Sequence, residues 1–195
     1  MLFRSTRNFW LIGLSVGIML AIDQALITTL VAFSTDRGIP LTQASLLMSV
    51  LGASAVAGKL LSGFLAERVG MKRLYLITMG LFVLSSAMCG LAWDFPSLVV
   101  ARILQGLGGG MLQPLGMAIV FSTVTPRERP QFMGVLGLPM LVAPLMGPTL
   151  GGFLVEYVDW HTVFTVNIPI GLIGLVLAWF LLKEMPARKD APLDK

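Results

Sequence analysis

Six runs of about twenty predominantly apolar residues take up nearly the whole chain: roughly Phe9 to Leu30, Ala44 to Ala66, Leu74 to Trp93, Leu98 to Val120, Phe132 to Val155 and Phe164 to Leu182. A hydrocarbon core of ~30 Å, crossed by a helix rising ~1.5 Å per residue, needs about twenty residues. Each run is long enough. With 56% hydrophobic and 12% charged residues in a chain of 195, there is too much apolar surface for a soluble core. The chain therefore reads as an all-α membrane protein of six transmembrane helices, residues 1–182. A charged, proline-containing cytoplasmic tail or linker, residues 183–195, follows. The first run is too long for a secretory signal and five more follow it, so it reads as an uncleaved span.

Basic residues set the expected orientation. Eleven of the fourteen Lys and Arg residues lie before span one, between spans two and three, between four and five, or after span six. Arg37 alone lies on the other side, and Lys59 and Arg102 lie within spans. Cytoplasmic loops carry the positive excess, so both termini are expected inside and the protein integral to the plasma membrane. Trp10, Trp93, Trp160 and Trp179 fall near span ends, where interfacial aromatics belong. The net charge of +4 then matches an anionic inner leaflet and calls for no nucleic acid. Cys89 is the only cysteine and His161 the only histidine, so neither a disulfide nor a metal site is expected.

Asp23 and Arg102 interrupt apolar spans, where an ionised side chain costs at least ~2.5–3.5 kcal/mol at mid-bilayer. At ~1.5 Å per residue, Asp23 lies ~4.5 Å and Arg102 ~9 Å outward of the middle of their spans, a gap that an arginine side chain bridges. Lys59 lies ~6 Å inward and is a poorer partner for Asp23. The pair suits a polar path that loads and releases a proton, since apolar surroundings favour the neutral acid and a guanidinium favours the carboxylate. Gln24 and Gln105 stand near them as candidates for a substrate path. The purely structural alternatives are that Arg102 snorkels to the outer surface and Lys59 to the inner headgroups. An enzyme is not expected: there is no buried serine–histidine pair and no metal-ligand cluster.

The segment GFLAERV at Gly63 to Val69 recurs as GFLVEYV at Gly152 to Val158, with five of seven positions identical. Each copy closes the second helix of a three-helix set, the first inside and the second outside. The basic residues Arg68, Lys72 and Arg73 become Tyr157, His161 and Thr162. That exchange is what one unit inserted upside down would show, so a 3+3 inverted repeat is expected.

Five strings carry a resemblance over nearly the whole chain: IDQALITTL in span one, GFLAERVGMKR after span two, RILQGLGGG from Arg102, GPTLGG at Gly147 to Gly152, and WHTVFTVNIPIG at Trp160 to Gly171. In this order and on these membrane sides they resemble the major facilitator superfamily, and within it the N-terminal half of the fourteen-span drug:proton antiporters of the EmrB/QacA type. The resemblance implies that Gly63, Glu67, Arg68, Gly70, Lys72 and Arg73 form an inner gate loop contacting the other half of the transporter. Glu67 and Met71 depart from the family's usual aspartate and basic residue. It likewise implies that Gly147, Pro148, Gly151 and Gly152 form the antiporter motif. Ala143 stands where the fuller motif starts with glycine. Read physically, Gly70 permits a sharp reversal, the span-five residues allow a kink and close helix approach, and Gly106, Gly108, Gly109 and Gly110 make a smooth strip in span four.

The expected function is that of one half, whether fragment or half-size subunit, of a proton-coupled exporter of drug-like hydrophobic or amphipathic compounds. A bacterial cytoplasmic membrane is the expected setting. The partners are then the lipid bilayer, a small hydrophobic substrate, and a second half or another copy of this chain. No cofactor is expected, the proton gradient being the energy source. The alternative is a non-transporting membrane scaffold or assembly partner with the same bundle.

Overall fold

A computed structural model of the chain describes residues 40–123 and 161–182, with isolated positions between them. Span one, the tail, and nearly all of span five lie outside the described residues, and with them Asp23, Gln24, Gly147, Pro148, Gly151 and Gly152. The described elements are all helical: α1 (Leu41–Val69), α2 (Met71–Gly90), α3 (Phe95–Thr123), α4 (Thr162–Thr165) and α5 (Asn167–Leu181). Among the described residues, α1, α2 and α3 are long and apolar enough to cross a membrane. Span six is not one unbroken helix. Pro169 has no N–H to give the carbonyl of Thr165, so helical hydrogen bonding is interrupted between α4 and the 15-residue α5 while Val166 keeps helical dihedrals, φ −61° and ψ −26°.

The helices α1 and α3 outrun the expected apolar windows because helical hydrogen bonding continues into polar flanks. Thr42 and Gln43, which precede the second apolar run, already belong to α1, and Glu67 and Arg68, which follow it, still do. At 29 residues, α1 and α3 extend ~43 Å, longer than the hydrocarbon core is thick. Large apolar side chains such as Leu60 and Phe180, 77% and 78% exposed, face outward as lipid requires.

The central helix is α3, which packs chiefly against α1 and α2, while α2 also carries α4 and α5. The α1–α3 approach is backbone to backbone. A Cβ on Gly58 would lie 2.5 Å from the carbonyl oxygen of Leu107, one on Gly106 2.6 Å from that of Leu51, and one on Gly110 would collide with Ala55. The glycines of span four are therefore not a single strip. Gly106 and Gly110 are a turn apart and face α1, whereas Gly108 and Gly109 meet Phe82 of α2. Gly70 supplies the α1–α2 reversal with φ 90°, the left-handed region that a side chain disfavours. Two apolar clusters fill the bundle. The larger joins α2, α3 and α5 around Tyr75, Met79, Phe82 and Leu115; the smaller joins Leu47, Cys89, Ala101 and Phe164 near the other end of α3.

Candidate functional site

Three pairs of residues converge beside the smaller apolar cluster, to which Cys89 and Phe164 belong: Ser86 and Cys89 on one face of α2, Arg102 and Gln105 on one face of α3, and Phe164 and Asn167 on either side of the α4–α5 break. All six are at most 1% exposed. Arg102 Nη1 donates to Gln105 Oε1 at 2.7 Å, and the Cys89 thiol lies 3.7 Å from the same oxygen. Gln105 Nε2 donates to Ser86 Oγ at 3.2 Å, and Asn167 Nδ2 donates to it at 3.1 Å. Ser86 Oγ in turn donates to the backbone carbonyl of Phe164 at 3.0 Å. The guanidinium carbon sits 4.7 Å from the centroid of the Phe164 ring, within range of a cation–π contact.

This geometry decides against snorkelling. Arg102 is wholly buried rather than turned to the outer surface, and Gln105, one turn on, meets it directly. Gln105 is itself 1% exposed and engaged at both ends of its amide, by Arg102 at the oxygen and by Ser86 at the nitrogen. Lys59 is exposed on α1. A void of about 10 Å³ among Tyr75, Met79, Gly116 and Leu177 is at the limit for one water molecule, far below the size of a drug-like compound.

The inner-loop residues gather at the α1–α2 reversal. Glu67, Arg68 and Arg73 are exposed, Lys72 is half-buried, Gly63 lies open on α1 and Gly70 is buried in the turn. Arg68 stacks on Phe64, with its guanidinium carbon 4.1 Å from the ring centroid. Between spans four and five, Arg129 Nη2 reaches back to the carbonyl of Phe121, a basic group placed where the end of α3 leaves acceptors open.

Ser86, Phe164 and Asn167 did not stand out as site residues in the sequence. The available signal was a polar amide in the apolar stretch TVNIPIG and a Ser85–Ser86 pair in the middle of a span.

The comparisons with known proteins agree with this architecture. The family model of the Major Facilitator Superfamily matches residues 10–195. A Bacillus subtilis relative named MFS-type transporter YhcA is 37% identical over 188 residues, covering 94% of this chain and 35% of the relative. A Pectobacterium carotovorum relative named multidrug resistance protein MdtD is 40% identical over 127 residues, 65% of this chain and 27% of the relative. The crystal structure of the human organic anion transporter MFSD10 superposes with a TM-score of 0.71 at 20% identity, covering 96% of this chain and 50% of that one. At that identity the likeness shows the fold alone. The chain spans about a third of the length of the curated relatives it matches. With its apolar spanning helices and a family match over nearly its full length, this integral membrane chain belongs to the major facilitator superfamily of transporters.

Proposed function

We propose that the chain forms one six-span bundle of a proton-coupled secondary transporter that exports drug-like hydrophobic or amphipathic compounds. Asp23 and Arg102 are its coupling pair. The observation that carries this reading is Arg102: a guanidinium wholly buried at membrane depth, oriented by a hydrogen bond and an aromatic face. Ionisable groups held inside a membrane bundle mark ion and substrate paths. The MdtD relatives' name supports drug efflux, and a relative of which this chain spans 35% leaves room for more spans than a second set of six, as a fourteen-span transporter requires. In this reading spans one to three and four to six are inverted repeats, the inner loop from Gly63 to Arg73 gates the cytoplasmic side, and Gly147 to Gly152 lets span five approach its neighbour closely.

Asp23 carries the proton. It binds one from the acidic side as substrate leaves there and releases it inside, where the next substrate binds, with Arg102 as the fixed positive charge that makes release favourable. In the assembled transporter Asp23→Asn is expected to abolish uphill efflux while substrate binding stays measurable. Arg102→Ala is expected to lose transport and Arg102→Lys to keep a fraction of it, since lysine retains the charge without the planar fork. Undiminished proton-driven efflux by Asp23→Asn would remove Asp23 from the mechanism.

A further inference from the structure

The string WHTVFTVNIPIG has no task in proton coupling as described so far, yet its Phe164 and Asn167 close the polar node around Arg102. The direction of the chain of hydrogen bonds from Arg102 through Gln105 and Ser86 to Phe164 follows from its two ends. A guanidinium can only donate, and the Phe164 carbonyl can only accept. The single Ser86 hydroxyl hydrogen is committed to that carbonyl, so Ser86 Oγ must accept from Gln105, which turns Oε1 of Gln105 toward Arg102. Asn167 Nδ2 fills the second lone pair of Ser86 Oγ. The hydroxyl is then saturated and cannot swing round to donate to Gln105, the one rearrangement that would turn the amide nitrogen against the guanidinium.

A second observation separates this arrangement from a brace selected for stability. Asn167 Oδ1 is buried with no hydrogen-bond partner among the described residues. An unsatisfied buried acceptor is destabilising, and an apolar side chain of similar volume would remove that cost. Such a cost is tolerated where a group has a task.

We propose that Ser86 and Asn167 are positioning residues for Arg102, acting through Gln105 to fix where the guanidinium sits during transport. The proposal rests on the coupling role given to Arg102 above. It also ties span six to span four, so that the α4–α5 break sets the geometry of the charge.

The test is made in the assembled transporter at matched expression, with proton-driven efflux and the detergent melting temperature measured on the same variants. Ser86→Thr and Ser86→Val have the same shape and differ by one hydroxyl. Ser86→Thr should transport near the wild-type rate, whereas Ser86→Val and Asn167→Leu should each be slower by about tenfold, the scale of one hydrogen bond in a charged network. The melting temperature of Asn167→Leu should equal or exceed that of the wild type, because the unpaired Oδ1 goes with it, whereas Ser86→Val leaves Gln105 Nε2, Asn167 Nδ2 and the Phe164 carbonyl without their partner and should melt lower. Should Ser86→Val match Ser86→Thr in transport, or should Asn167→Leu lose activity only in step with its melting temperature, the node is a structural brace and the proposal is wrong. Arg102→Ala separates the two levels: if it transports normally the coupling reading fails, whereas if it is inactive while Ser86→Val and Asn167→Leu are active, only the positioning role fails.

Discussion

A guanidinium withdrawn from water loses several kcal/mol of solvation, and in this bundle neutral groups answer part of that cost: one amide oxygen at 2.7 Å and one aromatic face at 4.7 Å. The cation–π contact alone contributes about 2 kcal/mol when desolvated. At the N-terminal end of the same helix a second residue is placed by similarly local chemistry. Asp94 caps α3: its carboxylate accepts from the Ser97 amide at 2.9 Å, and the Ser97 hydroxyl donates back to the Asp94 carbonyl at 2.8 Å. Hydrogen bonds from Ser97, side chain first and backbone second, hold this carboxyl below its ordinary range. A lowered acid contributes stability above its unfolded value, near ~4, and loses it as pH falls through the lowered one. Protection against hydrogen exchange in the first turn of α3, relative to the intrinsic rate at each pH, should therefore fall only in that acid range. Asp94→Asn should keep the cap and flatten the pH response, and Asp94→Ala should speed exchange at every pH; an unchanged rate in Asp94→Ala would mean the cap does not hold this turn. Arg102 and Gln105 were legible in the sequence because a charge and an amide three residues apart are conspicuous in an apolar run. Ser86 and Asn167 were not, since their meaning depends on partners 78 and 81 residues away along the chain.

Between elements, close approach is governed by which glycines meet backbone and which meet open space. Gly58 and Gly110 lie where α1 and α3 touch, while Gly52 and Gly63 on α1 have nothing within 4 Å. Gly110→Ala and Gly58→Ala must push the helices apart and are expected to destabilise the bundle by about 1–3 kcal/mol. Gly52→Ala and Gly63→Ala meet no clash and should be neutral or stabilising by up to about 1 kcal/mol from helix propensity. Melting temperatures in one detergent would check both arms, and equal effects at all four positions would contradict the packing. The sequence showed that α3 has a smooth surface but not that the surface divides between two neighbours, because runs of adjacent glycines carry no directional signal. It did place the Gly70 reversal, where local chemistry decides. The break at Val166 was missed: a hydropathy window averages over Pro169 and hears only the apolar residues around it.

For the whole molecule, the decisive surface is an exposed stripe of α1 flanking its contact with α3. Gly52, Lys59 and Gly63 recur at intervals that keep them within one narrow stripe, and all three are exposed. Lipid is a poor neighbour for such a stripe, since an ammonium at membrane depth is costly and a glycine strip forgoes packing against acyl chains while suiting another helix. A second bundle, or an aqueous path beside one, satisfies it better. Alternating access also rocks one bundle against another around a central site, and this chain spans about a third of the relatives it matches. Reconstituted alone in liposomes under a pH gradient, it is therefore expected to give no uphill efflux, and in detergent, by light scattering corrected for bound detergent, to run as a dimer or larger species. Gly63→Leu, which meets no clash inside the bundle, should weaken that association about tenfold or more by filling the stripe, with the melting temperature little changed. A monomer over a wide concentration range, indifferent to Gly63→Leu, would place the stripe against lipid, and uphill efflux by that monomer would mean that six spans suffice.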